Sequence, residues 1–225
     1  LPSFDGELLM DVHGTGCYTS QATMKLYNRQ NELLGDAAER ASVAAEWLGM
    51  STYPKKTLTE SWKRFLFHQF HDDLTGTSIP RAYEFSWNDE LLSLKQFSGV
   101  LSSAVADLSE RLDTKVSGIP VVLCNALGFE STQNVELHIK SKTIPAKVTV
   151  LDASGNKVPS QILSYKDNKV NILVQATVPA NGFSVYDVQL TGRGSQPIVN
   201  IATTQIENSV YKIVFDKFGD IVSLI

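Results

Sequence analysis

The chain has 225 residues, of which 43% are apolar and 20% are charged. These values are typical of a globular protein with one or two domains and a buried core. The formal net charge of −4 argues against a nucleic-acid partner, because surfaces that bind nucleic acid are normally basic. No apolar run reaches the roughly 18 residues that a membrane-spanning helix needs, so we expect no membrane partner either.

A long helix is predicted from Thr19 or Ser20 to Leu48, with Gly49 and Pro54 ending it. Apolar and small residues recur along it at helical spacing and predict one buried face. This face comprises Tyr27, Leu34, Ala41 and Leu48, with Ala37 and Ala44 in the neighbouring row. A short extended segment is predicted before the helix.

Two further helices are predicted after short connections. The second begins near Thr57, where Thr57 and Glu60 have the spacing of a capping box, and it stops at His71; the third opens at Pro80. The predicted inner faces are Leu58, Trp62, Phe65, Leu66 and Gln69, then Trp87, Leu91, Leu94, Phe97, Leu101, Val105, Leu108 and Leu112. Three amphipathic helices joined in this way predict an antiparallel three-helix bundle over 1–116.

At Gly118 the pattern changes to short β-rich runs separated by turn residues. The predicted strands are Val121–Cys124, Asn134–Ile139, Ala146–Leu151, Lys157–Leu163, Lys169–Gln175, Phe183–Leu190, Ile201–Gln205, Val210–Phe215 and Ile221–Ile225. They predict a small antiparallel β-sandwich over 117–192, then a linker and the first strands of a further β domain over 193–225. The fold class is therefore multidomain α and β. Because the last strands would leave unpaired edges and the chain starts without Met, we expect a piece of a longer protein.

The most informative stretch is Gln69–Ser78, which reads Gln-Phe-His-Asp-Asp-Leu-Thr-Gly-Thr-Ser. Acids at a helix C-terminus cost roughly 0.3–1 kcal/mol each, so their presence there suggests a function. A histidine and an aspartate at a helix end can offer a nitrogen and an oxygen to a metal, or two hydrogen-bonding groups to a sugar. On spacing alone, a structural role for His71 is favoured, with the acids as caps of the next turn.

The other histidines give weaker signals. His138 is interpreted as an ordinary strand residue, and a structural role is favoured for His68, although it lies one helical turn before Asp72. His13 lies in a glycine turn, and its role stays open. A glycine-rich phosphate loop, HExxH and GxSxG are all absent from the sequence, so nucleotide binding and serine-hydrolase chemistry lack their usual parts.

Four groups of residues match one known family. They are Gly6–Leu8 with His13-Gly14, Tyr18–Gln21, Lys25 and Asn28-Arg29; Gln69–Ser78; Asn125–Glu130; and Val178–Phe183. Over essentially the whole chain they resemble the middle region and following β region of the glycoside hydrolase family 38 α-mannosidases. The second group matches the family pattern Gln-x-His-Asp-x-x-x-Gly-Thr-Ser. The spacing from His13 to Tyr18 is looser than in the family, which leaves the role of His13 open.

The resemblance implies a zinc-dependent retaining exo-α-mannosidase that hydrolyses terminal α-mannosides, with mannose-containing glycans as partners. It implies that His71 is a zinc ligand and that Asp72 hydrogen-bonds a mannose hydroxyl beside the metal, and it gives Asp73 no role. The nucleophile, the acid/base and three further zinc ligands would come from a missing N-terminal catalytic domain. We therefore assign no catalytic residue within this chain and expect the isolated chain to be inactive.

The alternative is a non-catalytic carbohydrate-binding or scaffold module. A row of exposed aromatic residues on one face of the sandwich would favour sugar binding. The aromatic residues of the β region form no clustered stripe in the sequence; they include Phe129, Tyr165, Phe183 and Tyr186.

Overall fold

The computed structural model describes residues 3, 5, 6, 14, 16–191, 204–207 and 212–225. The predicted extended segment before the first helix, His13, and most of the predicted strand Ile201–Gln205 lie outside the described residues.

The helical part is an up-down-up bundle of α1 (Ala22–Trp47), α2 (Lys55–Phe67) and α3 (Pro80–Ser109). Helices α1 and α3 pack directly against each other in the same direction, and α2 packs mainly against α3 in the opposite direction, so consecutive helices are antiparallel. Where all three meet, Ala38, Leu58, Phe65 and Phe97 form a buried cluster. The predicted three-helix bundle is confirmed. In the described part of the chain, no helix has the length and apolar character needed to cross a bilayer.

The buried face of α1 differs from the predicted one. Ala41 is buried, but Leu48 is 52% exposed because the helix has already ended at Trp47. The buried positions are Met24, Asn31, Gly35, Ala38, Ala41, Ser42 and Ala45. Gly35 allows α2 to approach closely, since a Cβ there would lie 2.7 Å from the Trp62 ring.

The predictions for α2 and α3 need similar corrections. Helix α2 begins at Lys55 after Pro54, without a side-chain cap, so Thr57 is not the residue that opens a capping box. Leu66 is exposed because it lies beside Phe65 on the outer side of the helix, and Gln69 is exposed beyond the helix end, which is at Phe67 with His68 as its C-cap. Helix α3 begins at Pro80 as predicted, but its N-terminal half buries polar residues in place of the predicted apolar ones. Trp87 and Leu91 are exposed, whereas Ser86, Glu90 and Ser93 are buried.

The β part is a sandwich of two antiparallel sheets, with strand orders β1-β7-β3-β4 and β2-β6-β5. Its strands are β1 (Ile119–Asn125), β2 (Ser131–Lys140), β3 (Lys147–Leu151), β4 (Lys157–Val158), β5 (Ser160–Lys166), β6 (Lys169–Val178) and β7 (Gly182–Thr191). Aliphatic residues from both sheets form one core around Val150, Ile172 and Val188. The predicted strand Lys157–Leu163 is broken at Pro159, which has no N–H to donate, and the chain changes sheets there. The predicted sandwich is confirmed.

Among the described C-terminal residues, β8 (Gln205–Glu207), β9 (Lys212–Phe215) and β10 (Ile221–Leu224) form a separate antiparallel sheet of order β10-β9-β8. The domain limits after residues 116 and 192 remain predictions.

Candidate functional site at the end of the second helix

The candidate site lies on the loop between α2 and α3, residues 68–79, which we call the α2–α3 loop. Its centre is the Asp72 carbonyl oxygen, which accepts the N–H groups of Thr77 at 3.0 Å and Ser78 at 2.9 Å. The Tyr83 hydroxyl of α3 also donates to this oxygen at 3.0 Å. Gly76 completes the turn with a φ of +92°, a conformation that glycine adopts readily. The loop is therefore closed on itself and fastened to α3.

His71 and Asp72 point outward from this loop and lie side by side. The His71 side chain is 77% exposed, and its Nε2 lies 3.5 Å from Asp72 Oδ2. The other Asp72 oxygen, Oδ1, accepts a hydrogen bond from Thr77 Oγ1 at 2.8 Å. The ring of His71 contacts that of Phe70, with the centroids 4.2 Å apart. The loop thus presents one imidazole nitrogen and one carboxylate oxygen together at the surface.

Asp73 points inward, in contrast to its neighbours. It is buried, and its carboxylate accepts hydrogen bonds from His68 Nδ1 at 2.8 Å, Ser78 Oγ at 2.9 Å and Ser86 Oγ at 3.0 Å. Burial by itself would raise the pKa of the Asp73 carboxyl, but these hydrogen bonds outweigh it and hold the pKa below its ordinary value. Asp73 is therefore a buried carboxylate that is fully engaged inside the protein.

His68 continues this arrangement towards α3. It is buried at the end of α2, and its Nε2 lies 3.2 Å from Asp89 Oδ2. Both ring nitrogens thus face carboxylate oxygens, one on the α2–α3 loop and one on α3. The structural role predicted for His68 agrees with these contacts.

Two described residues of the first matching group, Ser20 and Lys25, contact the second group, Gln69–Ser78. Ser20 Oγ donates to the Thr75 carbonyl at 2.7 Å, and Lys25 Nζ donates to the carbonyls of Ser20 at 2.5 Å and Leu74 at 3.0 Å. A Cβ on Gly76 would overlap the Ser20 hydroxyl. The two motifs are about fifty residues apart in sequence, and in the fold they form one unit.

A further polar pair lies deeper in the bundle. Glu90 of α3 and Asn31 of α1 are both fully buried, and Asn31 Nδ2 donates to Glu90 Oε2 at 2.5 Å. Burial raises the pKa of Glu90 to about 7, against the opposing effect of the Asn31 hydrogen bond. Within the described residues, Glu90 Oε1 and Asn31 Oδ1 have no hydrogen-bond partner. A proton on Glu90 would let the carboxyl donate to Asn31 Oδ1.

The donor atoms at the surface match part of a zinc site. Zinc in proteins takes imidazole nitrogen and carboxylate oxygen, and needs three or four protein ligands. In the described part of the chain, no group of three or more His, Cys, Asp or Glu residues is placed to hold a metal. His71 and Asp72 therefore fit a fraction of such a site, and the remaining ligands would have to come from outside the described residues.

Sequence reasoning singled out His71 and Asp72, and the structure brings them together at the surface. It assigned no role to Asp73, which the structure makes the buried support of the loop. The sequence signal that could have identified Asp73 was the second acid at a helix end, because an acid is tolerated there when hydrogen bonds satisfy its carboxylate. His138 lies exposed on β2, where it is hydrogen-bonded to Asn171 and far from the loop in sequence.

Comparison with known proteins shows which proteins this chain is similar to. The family model described as the alpha mannosidase middle domain matches residues 13–108. Alpha-mannosidase G of Dictyostelium discoideum is 26% identical over 98% of the chain. The comparisons support a fragment of a family-38 α-mannosidase, with the family-model match limited to residues 13–108. The range matched by the middle-domain model contains α1, α2 and nearly all of α3, and therefore the whole α2–α3 loop.

Solved structures of family-38 α-mannosidases support the fold. The structure of an alpha-mannosidase from Enterococcus faecalis V583 has a TM-score of 0.65 and 18% identity, and it covers 92% of this chain. A protein of glycosyl hydrolase family 38 from Enterococcus faecalis gives a TM-score of 0.65 with 17% identity.

The family members compared are much longer than this chain. The chain spans 22% of the length of alpha-mannosidase G and 28% of the first Enterococcus structure. The alpha-mannosidase of Saccharomyces cerevisiae is 36% identical over 95 residues, which are 38% of this chain and 8% of the yeast protein.

Proposed function

We propose that this chain is the middle region of a zinc-dependent retaining exo-α-mannosidase that hydrolyses terminal α-mannosides of mannose-containing glycans. In this proposal His71 Nε2 is one zinc ligand, and the Asp72 carboxylate accepts a hydrogen bond from a mannose hydroxyl beside the metal. The observation that carries the proposal is the placement of His71 and Asp72, side by side and exposed, on a fastened loop of a family-38 middle domain.

The local geometry supports these two roles. Asp72 Oδ1 accepts a hydrogen bond from Thr77, whereas Oδ2 lies beside His71 Nε2. Oδ2 can therefore accept a hydrogen bond from a ligand. A loop backbone that is fastened to α3 suits a metal site, because it gives the imidazole that it carries a defined position. When bound, zinc would act as a Lewis acid and as a template for the sugar hydroxyls.

The retaining reaction itself requires groups that we place outside this chain. It needs a nucleophilic carboxylate and an acid/base carboxylate roughly 5–5.5 Å apart. Asp73 does not suit either role, because it is buried and both of its oxygens are already hydrogen-bonded. We therefore propose that another domain of the same polypeptide, N-terminal to this chain, supplies both carboxylates and the other zinc ligands.

The surface around His71 supports contact with such a domain. A hollow of about 450 Å³ adjoins the α2–α3 loop and is lined by Phe67, Phe70 and Phe85 together with His68, Asp73, Ala82 and Ser86. The three phenylalanine side chains are largely exposed. Clustered exposed aromatic rings typically mark a surface that another protein segment covers.

The aromatic residues of the sandwich support a scaffold role for that part. Tyr186 is buried, and its hydroxyl bonds to the main chain of Thr177. Phe129 is exposed, whereas Tyr165 and Phe183 are partly buried and pack against apolar clusters. Sugar stacking on a row of rings therefore has little support in the sandwich.

The test of the proposal is hydrolysis of an aryl α-mannoside by the whole polypeptide that contains this chain. His71→Ala is expected to abolish turnover. Asp72→Asn is expected to lower kcat/KM by about 10- to 100-fold, the value of one hydrogen bond to a charged group. His138→Ala is the matched control, because it removes an exposed histidine from the sandwich. Full activity of His71→Ala at ordinary zinc concentration would contradict the proposal.

The 225-residue chain by itself provides a second test. We expect it to give no hydrolysis above a blank, because it holds neither the nucleophile nor the acid/base. Turnover by the purified chain would place the reacting carboxylates within it and would overturn the proposed division of labour.

A further inference from the structure

The Asp73 side chain connects the end of α2, the far end of the α2–α3 loop and α3, directly beneath His71 and Asp72. Its Oδ2 accepts from His68 at the end of α2 and from Ser86 on α3, and its Oδ1 accepts from Ser78 at the far end of the α2–α3 loop. Its own N–H bonds to the Phe70 carbonyl at 3.0 Å. Asp73 therefore holds both ends of the loop against both helices.

The side chains of His71 and Asp72 have little other support. The His71 side chain is 77% exposed. Among the ring and ion-pair contacts of the described residues, its ring contacts only its sequence neighbours Phe70 and Asp72. The direction of both side chains is therefore set by the loop backbone. That backbone is fastened at the Asp72 carbonyl, immediately before Asp73, by Thr77, Ser78 and Tyr83.

We propose that Asp73 is a positioning residue, which fixes the backbone of the α2–α3 loop and thereby aims His71 and Asp72 at their ligands. This inference rests on the proposed function for the ligands themselves, but the fixing of the loop is a property of this chain alone. Asp73 acts through hydrogen bonds and takes no part in the reaction, since its carboxylate is buried beneath the loop and faces His68, Ser78 and Ser86.

Two serines on α3 give a matched pair of variants. Ser86 and Ser93 lie two turns apart on the same buried face, and both are almost fully buried. Ser86 Oγ lies 3.0 Å from both Asp73 Oδ2 and the Ala82 carbonyl oxygen, whereas Ser93 Oγ donates to the Ser61 carbonyl at 3.4 Å. Ser86→Ala removes a support of Asp73, and Ser93→Ala removes the same atoms from a place that does not contact the loop.

The first measurement is amide hydrogen exchange at Thr77 and Ser78 in the 225-residue chain. Both amides bond to the Asp72 carbonyl, so they report whether the loop is closed. Ser86→Ala is expected to speed their exchange by about 3- to 10-fold, the effect of losing one ordinary hydrogen bond. Ser93→Ala is expected to leave it unchanged. Equal exchange in the two variants would overturn the positioning role, whatever the protein catalyses.

The second measurement is turnover of an aryl α-mannoside by the whole polypeptide. We expect a lower kcat for Asp73→Ala and Ser86→Ala and an unchanged kcat for Ser93→Ala. Asp73→Asn is expected to stay within about threefold of the parent, because an amide has the same shape and can donate to Ser78 where the carboxylate accepted. If Asp73→Asn loses as much activity as Asp73→Ala while the loop stays protected, the charge itself acts, and the positioning role is wrong.

The two measurements separate failure of this inference from failure of the proposed function. If Ser86→Ala showed faster amide exchange but full activity, the proposal that the loop backbone directs His71 and Asp72 at their ligands would be wrong. If His71→Ala were also fully active, the error would lie in the proposed zinc site; if His71→Ala were inactive, it would lie in the positioning role alone.

Discussion

The bundle and the sandwich bury different kinds of side chain. The core of the sandwich is almost wholly aliphatic and is built from alternating residues of β3, β6 and β7. The bundle buries a polar layer beneath the α2–α3 loop, which includes Asn31, Ser61, His68, Asp73, Ser86, Glu90 and Ser93. An aliphatic core stabilises a fold without specifying any particular polar geometry, whereas a hydrogen-bonded polar layer fixes directions. The difference indicates that the sandwich supports the molecule and that the bundle places the site.

The largest expected effect of a substitution is on the stability of the sandwich. Ile172 is fully buried in the centre of the core, and Ile172→Ala is expected to lower the free energy of unfolding by roughly 3–4 kcal/mol, through lost burial and a residual cavity. Urea unfolding measures this loss. Ile221→Ala, at an exposed position of β10, is the control and is expected to change the free energy by less than about 0.5 kcal/mol. A similar loss in both variants would mean that the sandwich core is not packed as described.

The next effect concerns the polar layer and depends on pH. Glu90 has an ordinary pKa of 4.5, which burial raises to about 7 in the folded protein, and His68, Asp73 and Asp89 are the other charged groups that act on it. The folded state therefore binds more protons than the unfolded state between these two values, so stability falls as pH rises from 4.5 to 7. The loss is about 3 kcal/mol when the shift from 4.5 to about 7 is converted at 1.36 kcal/mol per pKa unit.

Glu90→Gln isolates this effect. The amide stays neutral, and its N–H can donate to Asn31 Oδ1, which has no partner among the described residues. We expect the variant to match the parent near about pH 4, below the ordinary pKa of a glutamate, and to exceed its stability by about 3 kcal/mol at about pH 8, measured by thermal or urea unfolding. Parallel pH profiles for the two proteins would show that Glu90 does not titrate in this range.

A smaller effect is expected where the two sequence motifs meet. Gly76→Ala is expected to destabilise by about 1–2 kcal/mol, because an L-residue at a φ of +92° is strained and the new methyl group meets Ser20. Gly99→Ala is the matched control on α3. No atom lies within 4 Å of a Cβ at Gly99, so this change is expected to stabilise the helix by about 0.5–1 kcal/mol. Differential scanning calorimetry measures the stability of both variants. An equal change in stability in the two variants would contradict the described loop geometry.

The two regions also differ in how far their sequences predicted them. Short β-rich runs separated by turn residues predicted the strands of the sandwich well, because its buried positions are apolar, as in Val170, Ile172 and Val174. Apolar periodicity failed on the N-terminal half of α3, where it selected Trp87 and Leu91 as buried and passed over Ser86 and Glu90. Apolar periodicity finds a helix face only when the core is apolar, and this bundle buries polar residues that hydrogen-bond one another.

Of the candidate site, the sequence predicted only the residues that lie at the surface. The Gln69–Ser78 pattern selected His71 and Asp72, which lie together and exposed. The partners of Asp73 were not predictable from local sequence, because Ser86 lies thirteen residues away and reaches the carboxylate only when α3 packs against the loop. The contact of Lys25 with Leu74 likewise depends on the packing of α1. Local patterns therefore identified the exposed groups, whereas their supports depended on tertiary structure.

The most direct test of the account is zinc binding by the 225-residue chain and by the whole polypeptide that contains it. We expect the whole polypeptide to retain one zinc ion tightly, His71→Ala to lose it, and His138→Ala to keep it. The 225-residue chain is expected to bind zinc no more tightly than micromolar, because a tight zinc site needs three or four protein ligands. Stoichiometric zinc at submicromolar affinity in this chain, or full zinc content in His71→Ala, would contradict the account.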